Sequence, residues 1–466
     1  MTAPSPSAPH GTTDPPLHRD PWVWAAIAVA LVLRALPMLV WGWQGPDCTR
    51  DECIYKHVTA PILRGDGLGL APKGWLPAPL YPYLLATSKL LFGSFEAVKW
   101  VQWLLAVPTI AVMAALGAHV AQRPGARAMA WAMALHPTFI FYTGTMWTES
   151  VYTLLLWSAV LATLQARRSG PSMAIVAGAL LGLNVLLRGV ATWMAPVFLA
   201  ALMWPTHEGS LSTVLRRRAR HAWVFVATAL LVVGPYSLHA SRRWGGPVIT
   251  DATAGHVLWL GNDRFDPVTF DYAIGQLTGP VYGATLRRGR IRCGADLDPI
   301  ALDRCKVDGA RREVLQHPGT FLRRIPQRLA QLVNPHSFLT RHLRWNLWPG
   351  IPWQLKELII AAQALSSVVI VAGGAAAAAL RARGALGVLV TGIVGYHVAV
   401  ISLAYGLSRF RLPLEPAGMI FLVALIWGPR RSPSSPARRV LAGLLAAAAL
   451  GLQAVYLPTG FLSFIP

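Results

Sequence analysis

Apolar residues run along this chain in blocks of near-membrane length, separated by short polar turns. The stretches at 22–43, 95–120, 222–240, 358–380 and 412–427 each approach the roughly 20 residues that a helix needs to cross a hydrocarbon core. No segment alternates at period two, as the strands of a membrane barrel would, so the blocks predict helices. The turns between them hold the arginines: Arg123 and Arg127, Arg167 and Arg168, Arg216, Arg217, Arg218 and Arg220, Arg381 and Arg383, Arg430 and Arg431. Basic residues stay on the cytoplasmic side of membrane spans, so each turn is assigned to the inside. The chain then threads as about eleven helices, at 21–43, 96–121, 128–144, 150–166, 172–188, 190–204, 221–240, 352–378, 386–405, 410–427 and 438–456. Two long polar segments, 44–95 and 241–350, fall outside, the first with an amphipathic stretch near 80–92 that lies along the interface. Residues 1–20, rich in Pro, Ser and Thr, read as a disordered cytoplasmic tail. They lack the basic start and cleavage site of a secretory signal, so the first span is expected to remain as an anchor. The expectation is an all-α polytopic membrane protein, divided into 21–240, an outer segment 241–350, and 351–466.

Composition agrees with that threading. Of 466 residues, 54% are hydrophobic and only 13% charged, about half the charged fraction of a soluble chain. A net charge of +22 would suggest a nucleic-acid partner in a soluble protein. Here the charge sits in the inner turns, where it orients the spans, and no nucleic acid is expected. Cys48, Cys53, Cys293 and Cys305 all fall in the two outer segments, as disulfides formed in an oxidising compartment would. The nearest pairing is Cys48 with Cys53 and Cys293 with Cys305, although four cysteines permit three connectivities, and unpaired thiols are the alternative. Their spacing matches no zinc pattern.

The first outer segment opens Pro46-Asp47-Cys48-Thr49-Arg50-Asp51-Glu52-Cys53-Ile54-Tyr55. A carboxylate just past the outer end of a membrane helix can act as general base on an incoming hydroxyl. An isolated acidic pair reads equally as a solvated turn, but this segment continues with Gly65-Asp66-Gly67 and Lys73-Gly74-Trp75-Leu76-Pro77-Ala78-Pro79-Leu80-Tyr81-Pro82-Tyr83. Together these residues resemble the first outer loop of GT-C glycosyltransferases, in the protein-O-mannosyltransferase and aminoarabinose-transferase branch. His136-Pro137-Thr138 and Thr148-Glu149-Ser150 resemble that family's third and fourth helices. Gly178 to Arg188, His317-Pro318, Asn334-Pro335, and Ser408-Arg409-Phe410-Arg411-Leu412-Pro413 with Pro416 extend the resemblance in patches to about residue 427.

The resemblance implies transfer of a sugar from a polyprenyl-phosphate donor to a lipid, glycan or protein acceptor at the outer membrane surface; the arginine-heavy composition and the absence of organelle signals make a bacterial inner membrane the expected location. Carried onto this chain, Asp51 is the general base, and Glu52 orients it or the acceptor. Arg409 and Arg411, at the outer start of the tenth helix, hold the carrier phosphate, with a snorkelling anchor as the plainer role. Lys73 stands where the aminoarabinose transferases place a phosphate-contacting lysine. Glu149 pairs with Arg188 or Arg409, and Tyr55 completes the substrate-binding set. Three departures bear on donor and acceptor: Phe410 replaces a tyrosine, Pro77-Ala78-Pro79-Leu80 replaces Lys-Pro-Pro-Leu, and Cys48 and Cys53 bracket the acidic pair. Asp47, Asp51 and Glu52 are hard oxygen ligands, yet that branch works mostly without metal, and no cofactor is expected.

In the second outer segment, residues 258–263 read as a strand-to-turn passage and 308–317 as a helix. The segment either caps the donor site and helps choose the acceptor, or is a structural cover. Two rival readings are weighed. A lipid-glycan transporter or flippase would show charges in mid-helix or an internal repeat; Arg188 lies near a helix end, no acidic residue lies at a helix centre, and no half is duplicated. A polysaccharide polymerase or ligase would use arginines and a histidine in a late outer loop, where His317, His336, Arg341 and His342 stand.

Overall fold

The structure is a computed structural model that describes residues 17–39, 50–71, 74–205, 211–263, 270–271, 276–277, 292–294, 297–404, 406–429 and 434–455. Helix α1 is Pro21–Leu39 and buries Val23, Ala26, Ile27, Ala30, Arg34 and Pro37, an i, i+3, i+4 stripe that packs on α4 (Ala97–Leu135). Asp20 begins α1: its carboxylate accepts the Trp22 N–H at 3.0 Å and pairs with Arg127 at 2.9 Å.

The first outer segment, expected as a loop with one interfacial stretch, contains two helices, α2 (Arg50–Leu63) and α3 (Leu80–Phe92). The limits of α3 are those its amphipathic pattern predicts. Asp51 and Glu52 occupy the first turn of α2, where negative charge favours the positive end of the helix dipole. Exposed Leu90, Leu91 and Phe92 end α3, an apolar tip suited to lipid.

The second predicted helix and the first half of the third are two legs of one element, and the rest of the third is a separate short helix, α5 (Pro137–Thr143). Helix α4 turns back at Ala121 (φ −146°) and Gln122 (φ 52°, ψ −140°), so the arginine turn is a break within it. Gly117 and Gly125 face each other across this hairpin, and a Cβ on either would lie 2.2 Å from the other's carbonyl oxygen. Only glycine permits that approach.

Then follow α5 (Pro137–Thr143), α6 (Glu149–Ser169), α7 (Pro171–Leu187), a 3₁₀ turn (Gly189–Trp193), α8 (Ala195–Met203) and α9 (Leu211–Arg243). Arg167 donates to the carbonyls of Leu202 (3.1 Å) and Trp204 (2.9 Å), and Arg218 donates to Trp204 as well. These arginines satisfy the open carbonyls at the end of α8.

The second outer segment is built mainly of helices: α10 (Ala254–Asn262), α11 (Pro299–Gln316), α12 (Pro318–Val333) and α13 (Phe338–Arg344). A short antiparallel pair, β1 (Phe270–Asp271) with β2 (Gln276–Leu277), lies between α10 and α11. Residues expected as a strand-to-turn passage are therefore mostly the end of α10: Asn262 is its last residue, Asp263 leaves it, and Arg324 binds the carbonyls of Gly261 (3.1 Å) and Asp263 (3.0 Å), closing the helix end. The helix predicted near 308–317 is the second half of α11. Cys293 and Cys305 form a disulfide onto α11. Cys53 is also in a disulfide; Cys48, Asp47, Arg430, Arg431 and most of the expected tail lie outside the described residues.

The chain ends with α14 (Trp353–Val368), a π turn (Val369–Gly373) into α15 (Gly374–Arg381), α16 (Gly384–Leu403), a 3₁₀ segment (Ser408–Leu414), α17 (Glu415–Ile426) and α18 (Pro436–Ala454). The tenth predicted helix thus begins as a 3₁₀ segment. Among the described residues six helices are long and apolar enough to cross a membrane: Pro21–Leu39, Ala97–Leu135, Val214–Arg243, Trp353–Arg381, Gly384–Leu403 and Pro436–Ala454. The hairpin expected at 172–204 forms two shorter apolar helices. The protein is a multi-pass helical membrane protein.

Candidate active site

Four distant stretches of sequence meet at one cluster of charge. Asp51 comes from the first turn of α2, Glu149 from the first residue of α6, Arg188 from the residue that caps α7, and Arg409 from the 3₁₀ segment before α17. Arg409 bridges the two acids: its Nη1 donates to Asp51, and its Nε lies 3.4 Å from Glu149 Oε1. Arg188 reaches the same Glu149 oxygen at 3.2 Å. Both partners expected for Glu149 are therefore present at once.

Aromatic rings fix the guanidinium planes. Arg409 lies over Trp147 (5.3 Å), Phe410 (5.6 Å) and Phe338 (5.9 Å). Arg188 lies over Tyr152 (5.4 Å) and Phe410 (5.7 Å), and Arg341 of α13 over Phe338 at 4.1 Å. The Phe410 ring thus lies within cation–π reach of both guanidinium groups.

Access is uneven. Glu149 is sealed, Arg188 and Arg409 keep 16% and 14% of their side-chain surface, and Asp51 keeps 34%. Asp51 is therefore the acid that an incoming group meets. Burial pushes its carboxyl up, but the Arg409 charge and hydrogen bond, then the charges of Arg341 and Arg188, outweigh burial and hold it below the usual carboxylate range. Tyr55, one helical turn on from Asp51, is pushed up to about 12 by burial, then by Glu149 and Asp51. Its ring packs edge-on against Tyr81 at 4.9 Å.

The remaining candidates lie apart from the cluster. Glu52 turns into the protein, where Oε1 accepts the Met146 N–H at 2.8 Å and so holds the turn that presents Trp147 and Glu149. Gln102 holds the same turn, donating to the carbonyls of Thr143 (3.1 Å) and Thr145 (2.6 Å) and accepting from Tyr81 at 3.0 Å. Arg411 is buried with Glu415 (2.9 Å), Ser367 Oγ (2.7 Å) and the carbonyls of Leu332 and Asn334. Two residues apart on a 3₁₀ turn of about three residues, Arg409 and Arg411 point to different sides. Lys73 lies outside the described residues. Among the late-loop residues, Arg341 joins the cluster, whereas burial pushes His342 down to about 3 and His336 to about 4, leaving both neutral. Among the described residues no group of three His, Cys, Asp or Glu side chains is placed to hold a metal ion.

Sequence reading missed Trp147 and Phe338, although Trp147 stands two residues before Glu149. It also missed Arg34, a cation within the apolar run of α1 that is buried against the end of α4.

No protein-family profile and no curated protein sequence matches the chain. Among solved structures, the oligosaccharyltransferase of Archaeoglobus fulgidus in its apo form matches with a TM-score of 0.51 at 14% identity, over 94% of this chain and 56% of that one. The same enzyme tethered to an acceptor peptide carrying the NVT sequon gives 0.51 at 14% identity, over 94% and 55%. ArnT from Cupriavidus metallidurans bound to undecaprenyl phosphate gives 0.38 at 16% identity, over 85% and 78%. The chain spans little more than half the length of the oligosaccharyltransferase, and at such identity the likeness is one of fold: this chain carries the GT-C fold of membrane glycosyltransferases.

Proposed function

We propose that the protein is a glycosyltransferase that moves a sugar from a polyprenyl-phosphate carrier to an acceptor hydroxyl or amine, at the extracytoplasmic face of a bacterial inner membrane. The observation that carries this reading is the accessible Asp51–Arg409 pair, set where a helical membrane module of GT-C fold brings four elements together. The Cys293–Cys305 disulfide, and the disulfide at Cys53 two residues from Asp51, support an oxidising compartment for this side of the molecule.

In the structure Arg409 holds Asp51, and with it the acid is a weak base. A carrier phosphate offers the guanidinium two oxygens and competes for it. As Arg409 turns to the phosphate, Asp51 loses the cation that keeps its carboxyl ionised, and burial raises its basicity. The acceptor O–H or N–H then attacks the anomeric carbon while Asp51 takes the proton. The bond from that carbon to the phosphate oxygen breaks, and its electron pair leaves with the phosphate, whose charge Arg409 and Arg188 stabilise. Attack opposite the leaving group inverts the anomeric centre. The proposal includes no metal, because Asp51 and Glu149 face guanidinium groups and Glu52 faces a backbone N–H.

The test is transfer of radiolabelled sugar from polyprenyl-phosphate donors by purified wild type, Asp51→Asn and Arg409→Gln, each verified as folded. We expect Asp51→Asn to lose about 10²-fold or more in rate with donor binding kept, and Arg409→Gln to lose donor binding as well. A folded Asp51→Asn protein that transfers at the wild-type rate removes the assignment. A wild type that binds the donor without cleaving it moves the reading to a lipid-glycan transporter.

A further inference from the structure

Helix α12 carries its polar side inward and its apolar side outward. Leu322, Pro326, Leu329 and Val333 recur at spacings of four, three and four, and so share one face. Arg324, Arg328 and Gln331 recur at four and three on the roughly opposite face. In a helix packed on a water-soluble core the apolar stripe turns inward. Here the polar stripe is the buried one: Arg324, Arg328 and Gln331 are 6%, 0% and 1% exposed. Leu322 is 60% exposed, Pro326 is exposed, and Leu329 and Val333 are half-buried. The inversion has a cause in open backbone ends. Arg328 donates to the carbonyls of Ser402 (2.5 Å) and Gly261 (2.8 Å) and to Asn262 Oδ1 (2.8 Å), while Arg324 closes the end of α10. Both guanidinium groups are engaged inward, which rolls the apolar stripe outward.

The neighbours of α12 say what that stripe faces. It packs on α16 and α18, both long and apolar enough to cross a membrane, and it meets them at matching points. Ser402, the partner of Arg328, is the last residue but one of α16. Gln453, which donates to the Val333 carbonyl at 3.1 Å, is the last but one of α18. Helix α12 therefore runs across the C-terminal ends of two spans, and its 16 residues are too few to cross a hydrocarbon core. Exposed Leu403 of α16 and Leu450 of α18 stand at those same ends, where the spans face lipid. Pro326 supplies no N–H, so the Leu322 carbonyl lacks its helical partner. The wet headgroup layer can fill that opening, and the hydrocarbon centre cannot. Arg323 is exposed beside the stripe, as basic residues are on helices that lie in the headgroup layer.

We infer that α12 is an interfacial helix. It lies in the plane of the membrane surface at the C-terminal ends of α16 and α18, with Leu322, Pro326, Leu329 and Val333 among the acyl chains and Arg323 at the lipid headgroups. A second copy of the chain would cover the same stripe, and the experiment separates the two. The inference holds whether or not the chain transfers a sugar, yet it bears on the candidate active site. Arg411 donates to the carbonyls of Leu332 and Asn334 at the end of α12, and Arg411 stands two residues from Arg409. The helix that meets the lipid thus also anchors the segment that carries Arg409.

The test is spin labelling of the full chain in liposomes of phosphatidylethanolamine and phosphatidylglycerol. One label at a time is carried by Leu322→Cys, Leu329→Cys or Gln327→Cys, the last exposed but off the stripe. Among the described residues every native cysteine is in a disulfide, so the introduced thiol takes the label. Collisions with oxygen, which dissolves in hydrocarbon, and with a water-soluble nickel chelate then report depth. Labels at 322 and 329 are expected about 5–10 Å below the phosphate groups, and the label at 327 at or above them. Leu322 is exposed, so the fold tolerates a label there, and that position decides should Leu329→Cys not fold. Three labels at one depth overturn the inference, as do labels at 322 and 329 near the bilayer midplane. Labels at those two positions that are immobile and shielded from both agents assign the stripe to a second copy, and overturn the lipid contact as well.

Discussion

Asp51 and Glu52 are adjacent and chemically alike, yet the fold gives them opposite surroundings. Successive residues on a helix point about 100° apart, so the first turn of α2 can send one carboxylate to an accessible arginine and the other to a buried backbone N–H. The sequence marks both as acidic and cannot distinguish them, because the partners, Arg409 and Met146, are supplied by elements far along the chain. The difference is testable in Glu52. Glu52→Ala leaves the Met146 N–H without its acceptor, an omission worth about 1–3 kcal/mol, and the thermal midpoint of the detergent-solubilised protein should fall accordingly. Glu52→Gln keeps an acceptor oxygen and should restore most of that stability along with sugar transfer. A Glu52→Gln protein as stable as wild type but without transfer would instead make Glu52 part of the chemistry.

Among the elements, the long apolar blocks were the most legible, since hydrophobic length alone predicts a membrane helix whatever it packs against. Breaks within and between them were less so. The arginine turn at 123–127 reads as a loop between two spans, whereas the structure makes it a two-residue break inside α4, where Gln122 takes a positive φ of 52°. What allows so tight a reversal is the Gly117–Gly125 contact, and nothing in a periodicity marks which glycines of an apolar run will touch. Gly117→Leu should separate the two legs. We expect a loss of about 1–3 kcal/mol or more, read as a lowered unfolding temperature, while Gly443→Leu, with nothing within 4 Å of its added Cβ, should leave that temperature nearly unchanged. The 3₁₀ segment before α17 shows the same limit: Arg409 and Arg411 look equivalent in sequence, and only the local winding separates a charge at the site from one locked in the core.

For the molecule as a whole, where charge and cysteine fall sets two long polar segments, 44–95 and 241–350, apart from the apolar helices, but the join between the second of these segments and those helices is not legible there. That join consists of polar side chains on backbone ends. Thr250 donates to the Val185 carbonyl of α7 at 2.9 Å, and Asn262 donates to the Leu403 carbonyl of α16 at 2.9 Å. Asp251 completes it by accepting the Gly189 N–H, just past Arg188, and lies so close that a Cβ on Gly189 would meet its carboxylate at 2.2 Å. Burial first, and the Asp303 charge second, push Asp251 up to about 6 from an ordinary 3.8. A carboxyl with a higher pKa in the folded than in the unfolded chain binds more protons when folded. Its stabilising contribution is present in full below about pH 4 and is lost as the pH rises through 6. Asp251→Asn removes that slope, so thermal midpoints of wild type and variant should diverge between pH 4 and 6.5, with wild type falling relative to the variant. Parallel midpoints across that range would mean that Asp251 is ionised throughout, and that the join tolerates a charge beside the Gly189 turn.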